Sequence, residues 1–186
     1  MRAIVSSFFL VAISEMGDKT QLLALSLAAR FRRPWVVMAG ILTATIANHA
    51  LAALVGSWIA EHVPARVMAG VLAVIFVAFA IWTLRPDTLE EGGPKSRFDP
   101  YLSTVVLFFL AEMGDKTQLA TVALAAEFHS VLLVTIGTTL GMLASDGLAV
   151  LLGDRLADRL PMTWVRRVAA ALFLAFGVVA ASRALA

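Results

Sequence analysis

Six apolar stretches, each about as long as a membrane-crossing helix, account for most of this sequence of 186 residues. A helix needs about 20 mostly apolar residues to cross the hydrocarbon core of a bilayer. The segments between the stretches are short and carry charges or prolines. The stretches lie at residues 3–29, 34–60, 67–84, 101–126, 131–152 and 164–182. The sequence therefore predicts an all-α polytopic membrane protein with six transmembrane helices.

The composition agrees with a chain that is solvated mainly by lipid. Apolar residues make up 60% of it and charged residues 15%, whereas a soluble domain carries about a quarter charged residues. The net charge of +2 does not suggest a nucleic acid partner. The absence of cysteine excludes disulfides, thiolate metal ligands and thiol catalysis.

The longest separator, residues 85–100, contains prolines, glycines and charges, and it is predicted to be a polar linker. Lys and Arg residues near the span ends are biased ten to three toward the side of this linker. Since cytoplasmic loops carry the excess of Lys and Arg, we expect a cytoplasmic linker and both termini outside. The apolar N-terminal run has no clear small-residue cleavage site and is interpreted as a retained first span.

The two halves of the chain are similar at an offset of 97 residues. Glu15 to Leu22 is identical to Glu112 to Leu119 at all eight positions, and further matches continue without a gap. This predicts a first repeat at residues 1–84, the linker at 85–100 and a second repeat at 101–186. Because each repeat has three helices, the second would enter the membrane from the opposite side. Many secondary transporters have such inverted repeats, with the substrate site near the midplane.

Each copy of the repeated segment places charged residues deep in its span. Glu15 lies on the order of 18 Å from the start of its helix, and on one continuous helix Glu15, Asp18 and Lys19 would share a face. A charge at the bilayer centre costs about 3 kcal/mol. The charges must therefore face the protein interior or a wet cavity and must have partners. Alternatively, each segment could only join helices through a Glu–Lys pair, but buried ion pairs stabilise less well than apolar packing.

The charges and the ligand types of the two segments indicate a cation site. Four carboxylates and two lysines leave a net charge of minus two, which one divalent cation or two protons would neutralise. Oxygen ligands suit calcium, magnesium or manganese. The candidate ligands are Glu15, Asp18, Glu112 and Asp115, with neutral oxygens from Thr20, Gln21, Thr117 and Gln118, and with Lys19 and Lys116 in support.

Two pairs of residues in the segments have more than one interpretation. Gly17 and Gly114 could allow the helix to unwind and offer carbonyl oxygens to an ion; equally, they could allow close helix packing. Met16 and Met113 could be soft ligands that favour manganese over calcium, although packing is the preferred interpretation.

The second helix of each repeat adds a smaller polar pair. Asn48-His49 aligns with Ser145-Asp146. A histidine titrates near neutral pH, and carboxylates inside membranes are usually functional. These four residues could carry protons or support the ion site.

A doubled Glu-x-Gly-Asp-Lys/Arg-Thr/Ser motif in a small six-helix chain resembles the Gdt-type family of cation/proton exchangers. The resemblance covers nearly the whole chain, and neither copy of the motif departs from the pattern. It implies export of Mn²⁺, or transport of Ca²⁺, against protons, with the acidic motif residues as ion ligands. The short linker resembles that of bacterial members, which implies the bacterial plasma membrane. The resemblance leaves the choice between Mn²⁺ and Ca²⁺ open.

The expected function is therefore secondary transport of a divalent cation in exchange for protons, by alternating access. The transported ion would be a substrate, and no resident cofactor is expected. A cation channel, an exporter of small organic cations and a non-transport membrane assembly protein are the alternatives. An enzyme is not expected, because the sequence shows no nucleophile–base pair and no histidine-rich metal site.

Overall fold

The computed structural model describes residues 1–85, 99–152 and 162–185. Within these residues the chain forms eight α-helices and no β-strand. The first four are α1 Arg2–Ser14, α2 Lys19–Phe31, α3 Pro34–His62 and α4 Ala65–Thr83. The other four are α5 Pro100–Glu112, α6 Lys116–Phe128, α7 Val131–Leu152 and α8 Met162–Leu185. The all-α class is confirmed.

The prediction of single continuous helices over residues 3–29 and 101–126 is wrong. Each of these stretches forms two helices of 13 residues, with the break inside the charged segment. Gly17 has φ 79° and Gly114 has φ 75°, a left-handed conformation that ends a right-handed helix. Of the two interpretations of these glycines, the structure shows unwinding.

The helix that follows each break begins at an aspartate. Asp18 precedes α2 and Asp115 precedes α6, and both have extended backbone conformations typical of an N-cap. The Asp18 carboxylate accepts a hydrogen bond from the Lys19 backbone N–H at 2.7 Å. At the far ends, α2 and α6 stop at equivalent residues with left-handed conformations, Arg32 and His129.

The other four predicted spans are single helices, and their bounds differ from the predicted ones by three residues or fewer. In the described part of the chain, α3, α4, α7 and α8 are the helices that are long and apolar enough to cross a membrane. The apolar helices α1 and α5 are shorter. Of the predicted linker at 85–100, residues 86–98 lie outside the described residues, as do 153–161 between α7 and α8.

The short helices of each half pack against the long helix of the other half. α1 packs along α7, and its equivalent α5 packs along α3. α2 contacts α7, and its equivalent α6 contacts α3. The long helices α3 and α7 pack on each other, so each broken pair lies against the long helix of the other half.

Close approach in these packings occurs at glycines. A Cβ added to Gly40 in α3 would lie 2.6 Å from Thr104 Cβ in α5. At the equivalent Gly137 in α7 it would lie 2.6 Å from the Ile4 carbonyl oxygen in α1. Small residues thus let the short helices lie close to the long ones.

The helices α4 and α8 form a separate pair beside this arrangement. Their contact is built from aromatic rings, with Phe79 and Phe173 at a centroid distance of 5.6 Å and Phe76 and Phe176 at 5.4 Å. These four phenylalanines occupy equivalent positions in the two halves. They contribute to the larger of the two apolar clusters among the described residues.

Candidate functional site

The two helix breaks bring carboxylates from both halves together inside the protein. One oxygen each of Glu15, Asp18 and Asp115 lie within 4.8 Å of one another, and all three side chains are buried. Residues 97 positions apart in the sequence therefore share one site. Three oxygens at this separation could bind a single cation.

Each lysine of the segments pairs with an aspartate of the other half. Lys116 Nζ lies 3.0 Å from Asp18 Oδ2, and Lys19 Nζ lies 3.4 Å from Asp115 Oδ1. The predicted shared helix face of Glu15, Asp18 and Lys19 is wrong, because the helix is interrupted between Ser14 and Lys19. The two crossed pairs join the breaks to each other and place positive charge beside the carboxylates.

The Glu15 carboxylate is held by two threonine hydroxyls. Thr20 donates a hydrogen bond to Glu15 Oε2 at 2.6 Å, and Thr117, from the other half, donates to Glu15 Oε1. These bonds fix the orientation of the carboxylate and leave each oxygen a further lone pair for a ligand. The two threonines were predicted to be neutral oxygen ligands of an ion. In the structure their hydroxyls orient the charged carboxylate of Glu15.

The two glutamines stabilise the unwound backbone. Gln21 Oε1 accepts a hydrogen bond from the Gly17 N–H at 2.8 Å, and Gln118 Oε1 accepts one from the Gly114 N–H at 2.7 Å. Their amide nitrogens reach the second helices, where Gln21 donates to the Ser145 carbonyl oxygen and Gln118 donates to Asn48 Oδ1. Both predicted glutamine ligands thus connect a break to a long helix.

The remaining predicted residues lie around the Glu112 carboxylate and along α3 and α7. His49 Nε2 is 3.6 Å from Glu112 Oε2, and both side chains are fully buried. Asp146 is also fully buried, and it interacts electrostatically with Glu15, Glu112 and Asp18. The polar pairs of the second helices therefore border the site.

The two methionines differ in their surroundings. Met113 is 56% exposed, whereas Met16 lines a small cavity beside the site. Among the grouped carboxylates all the donor atoms are oxygen. This donor set suits a hard cation.

Comparison with known proteins places these observations in a family. The family model described as "Divalent cation/proton antiporter GDT1" matches residues 3–91 and 100–186. The chain belongs to this GDT1 family. It is similar to a protein of Vibrio cholerae serotype O1 named "Putative manganese exporter", with 44% identity over 175 residues, which are 94% of this chain and 88% of that protein.

More distant relatives of the GDT1 family match over similar lengths. A GDT1-like protein of Synechocystis sp. is 31% identical over 201 residues, covering 96% of each chain. GDT1-like protein 3 of Arabidopsis thaliana is 28% identical, over 95% of this chain and 69% of the plant protein. No solved structure matches the chain. GDT1 membership and the long apolar helices identify a multi-pass membrane protein of a transporter family.

Two arginines near the ends of predicted spans lie near the site of this GDT1 protein. Arg85 and Arg166 line the same small cavity as Asp18 and Lys116. Neither arginine has a basic equivalent 97 residues away, so the repeat gave no signal for them. They place positive charge between the site and the linker end of the helices.

A larger cavity, of about 390 Å³, lies at the other end of the helices. Its polar lining includes Arg66, Glu127, His129 and Arg183, and Arg183 is paired with Glu127. No residue of the repeated segments is among the residues that line it. Among the described residues that line it, Glu127 is the single carboxylate, so it lacks the converging carboxylates of the motif site.

Proposed function

We propose that this chain exports a divalent cation, Mn²⁺ first and Ca²⁺ next, in exchange for protons, by alternating access at the motif site. The observation that carries the proposal is the buried group of carboxylate oxygens from Glu15, Asp18 and Asp115, drawn from both halves. Membership in a family of divalent cation/proton antiporters supports the same reaction.

Charge supports exchange rather than passive binding. The four motif carboxylates and the two lysines leave a net charge of minus two, so one dication and two protons neutralise the site equally well. Protons arriving from outside would take the carboxylates and release the ion there. The crossed pairs of Lys19 with Asp115 and of Lys116 with Asp18 keep the net charge low and hold the carboxylates in place.

Mn²⁺ is favoured over Ca²⁺ by the comparison, and both are compatible with the ligands. The Vibrio cholerae relative is named as a manganese exporter, at 44% identity. Oxygen donors suit both ions. The ion is the substrate, and the proposal includes no resident cofactor and no enzymatic step.

The proposed architecture has six crossings arranged as two inverted repeats, residues 1–84 and 101–186. Each broken pair, α1 with α2 and α5 with α6, makes one crossing, since two helices of 13 residues have a summed length of about 39 Å. The exchanged packing of α1 on α7 and of α5 on α3 is what a two-fold relation between the repeats would produce.

The proposed orientation has a cytoplasmic linker at 85–100 and both termini outside, in the bacterial plasma membrane. The small cavity lined by Arg85 and Arg166 would then lie between the site and the cytoplasm. The ion would enter from this side, as export requires.

The test is ion flux through purified protein in proteoliposomes under an imposed pH gradient, with Mn²⁺ and Ca²⁺ assayed separately and internal pH recorded. We expect Mn²⁺ flux that depends on the gradient and moves protons in the opposite direction. Glu15→Gln and Asp115→Asn should abolish flux without preventing membrane insertion. Glu127→Gln, which removes a carboxylate at the far end of α6, is the matched control and should retain it.

Each other outcome points to an alternative. Flux that ignores the pH gradient would favour a channel, and flux of small organic cations in place of metal ions would favour an organic cation exporter. No flux from well-folded protein would favour a membrane assembly role. Undiminished flux through Glu15→Gln would remove the motif carboxylates from the transport path.

A further inference from the structure

The two copies of the eight-residue segment have different side-chain partners, although their sequences are identical. Thr20 donates to Glu15 within the first copy. Its equivalent Thr117 donates across the repeats to the same Glu15 rather than to Glu112. Both oxygens of Glu15 therefore accept a hydroxyl hydrogen bond. Neither oxygen of Glu112 has a hydrogen-bond partner in the part of the chain that the structure describes.

The long helices differ at one pair of equivalent positions, His49 in α3 and Asp146 in α7. His49 lies against Glu112. Asp146 is fully buried, and its carboxylate has no hydrogen-bond partner within residues 1–85, 99–152 and 162–185. Its charged neighbours are Glu15, Glu112 and Asp18. The position that carries an imidazole in α3 therefore carries a carboxylate in α7.

The two glutamates have carboxylate neighbours in common, because Asp115 is a charged neighbour of both, and Glu112 has the cation Lys19 as a further neighbour. The group of oxygens that lie close enough together to bind one ion is formed by Glu15, Asp18 and Asp115, and neither Glu112 nor Asp146 belongs to it. Buried carboxylates that face one another are stable only with a cation or a proton between them.

We propose that the protein binds a single dication per chain, off the two-fold axis, on Glu15, Asp18 and Asp115, with the buried carboxylate of Asp146 in α7 recruited as a further oxygen ligand when the ion binds. The pair of Glu112 and His49 does not hold a second ion. This inference rests on the proposed function and deepens it, because it assigns the number of ions and their side of the site.

The chemistry of the two sides explains why a second ion is excluded. A second site beside Glu112 would need Asp18 and Asp115 again, and one set of oxygens cannot complete two coordination shells. The remaining ligand there would be His49, and a hard cation prefers oxygen to imidazole nitrogen. In α7 the position equivalent to His49 is occupied by Asp146, which supplies a carboxylate in place of the imidazole.

The test is binding of Mn²⁺ to the purified full chain in detergent, followed by electron paramagnetic resonance at one fixed pH. The six-line signal of free Mn²⁺ disappears on binding, so the titration gives both the number of bound ions and their affinity. Size-exclusion profiles and thermal unfolding of each variant, recorded without metal, check that it is folded. Asp146→Glu, which keeps the carboxylate, checks for rescue if Asp146→Asn is unstable.

We expect one Mn²⁺ per wild-type chain. Glu15→Gln should weaken binding by about a hundredfold and Asp146→Asn by about tenfold, with partial rescue in Asp146→Glu. Glu112→Gln should change the affinity by less than about threefold, although it is expected to impair transport. Glu127→Gln, far from the site, should bind as the wild type does.

Equal weakening by Glu15→Gln and Glu112→Gln would overturn the inference and leave the proposed transport intact, as would two bound ions per chain. Wild-type affinity in Asp146→Asn would remove Asp146 from the ligand set and would also overturn it. No binding of Mn²⁺ or Ca²⁺ to folded wild-type protein would overturn the proposed function together with the inference.

Discussion

The two copies of the Glu-Met-Gly-Asp-Lys-Thr-Gln-Leu segment form similar breaks and have different neighbours. In both, the glycine adopts a positive φ, the aspartate occupies the N-cap position of the next helix and a glutamine oxygen accepts from the glycine N–H. Yet the hydroxyls of both threonines converge on Glu15, and Glu112 lies beside His49. An identical local sequence determines a similar break, whereas the residues across the interface decide what each side chain contacts.

The largest predicted difference between the copies concerns their lysines. The Lys116 side chain is 5% exposed, whereas that of Lys19 is 32% exposed. Removing one partner of a buried ion pair costs about 3–5 kcal/mol, and the solvent that reaches Lys19 screens its pair with the buried Asp115 and lowers that cost. Lys116→Met should therefore lower the free energy of unfolding more than Lys19→Met. Unfolding in mixed micelles with increasing SDS measures both, and equal losses would contradict the difference in burial.

A second comparison concerns the threonines. Thr20→Val and Thr117→Val each remove a hydrogen bond to the buried Glu15 carboxylate, which should cost about 1.5–3 kcal/mol in the same unfolding assay. Combined with Glu15→Gln, each should lose part of this cost, because the charged acceptor has gone. Thr121→Val is the matched control, since the Thr121 hydroxyl bonds only to a carbonyl of its own helix. If the loss of stability in Thr117→Val disappeared with Glu112→Gln rather than with Glu15→Gln, each threonine would serve the glutamate of its own copy, and the two copies would be equivalent.

A third prediction tests where the halves are alike. Gly40→Ala and Gly137→Ala should both destabilise the protein by about 1–3 kcal/mol, because the added methyl would overlap with the packed short helix. Gly70→Ala in α4 is the control, because its Cβ would meet only Ala184 at 4.0 Å. Thermal unfolding should show similar shifts for the first two variants and little shift for the third. A large difference between Gly40→Ala and Gly137→Ala would show that the packing is not equivalent.

The smallest effect is expected at the breaks themselves. Gly17→Ala and Gly114→Ala place a Cβ at a positive φ, which should cost each about 1–2 kcal/mol. An added Cβ at Gly114 would meet no atom within 4 Å, so its cost is backbone strain alone. Circular dichroism thermal melts should give comparable losses for the two variants, and an unchanged melting temperature in Gly114→Ala would show that the unwound turn is not required.

Much of the fold followed from hydrophobic stretches and from the repeat. The bounds of α3, α4, α7 and α8 were close to those predicted, because prolines and charges mark the ends of these apolar runs. The broken helices were missed, since the apolar residues on both sides of Gly17 and Gly114 look like one continuous span. A glycine in an apolar helix is equally compatible with packing, and only the observed φ values distinguish the two.

The candidate site was predicted as a set of residue types and not as a set of contacts. Glu15, Asp18 and Asp115 were named as ligands, and the structure groups them. Thr20, Thr117, Gln21 and Gln118 were also named, but their hydrogen bonds orient Glu15 and the unwound backbone. An oxygen donor in a sequence can bind an ion or hold the residue that does, and spacing alone does not separate these roles.

The sequence by itself determined that the chain is apolar and helical, that its halves are related, and that each half carries buried acidic and basic residues that need partners. These properties depend on composition and on local order along the chain. Only the tertiary structure decided that Lys19 pairs with Asp115, that Lys116 pairs with Asp18, and that Glu15 receives both threonines. Such pairings join segments about a hundred residues apart, and they depend on how the long helices α3 and α7 pack, which no local pattern encodes.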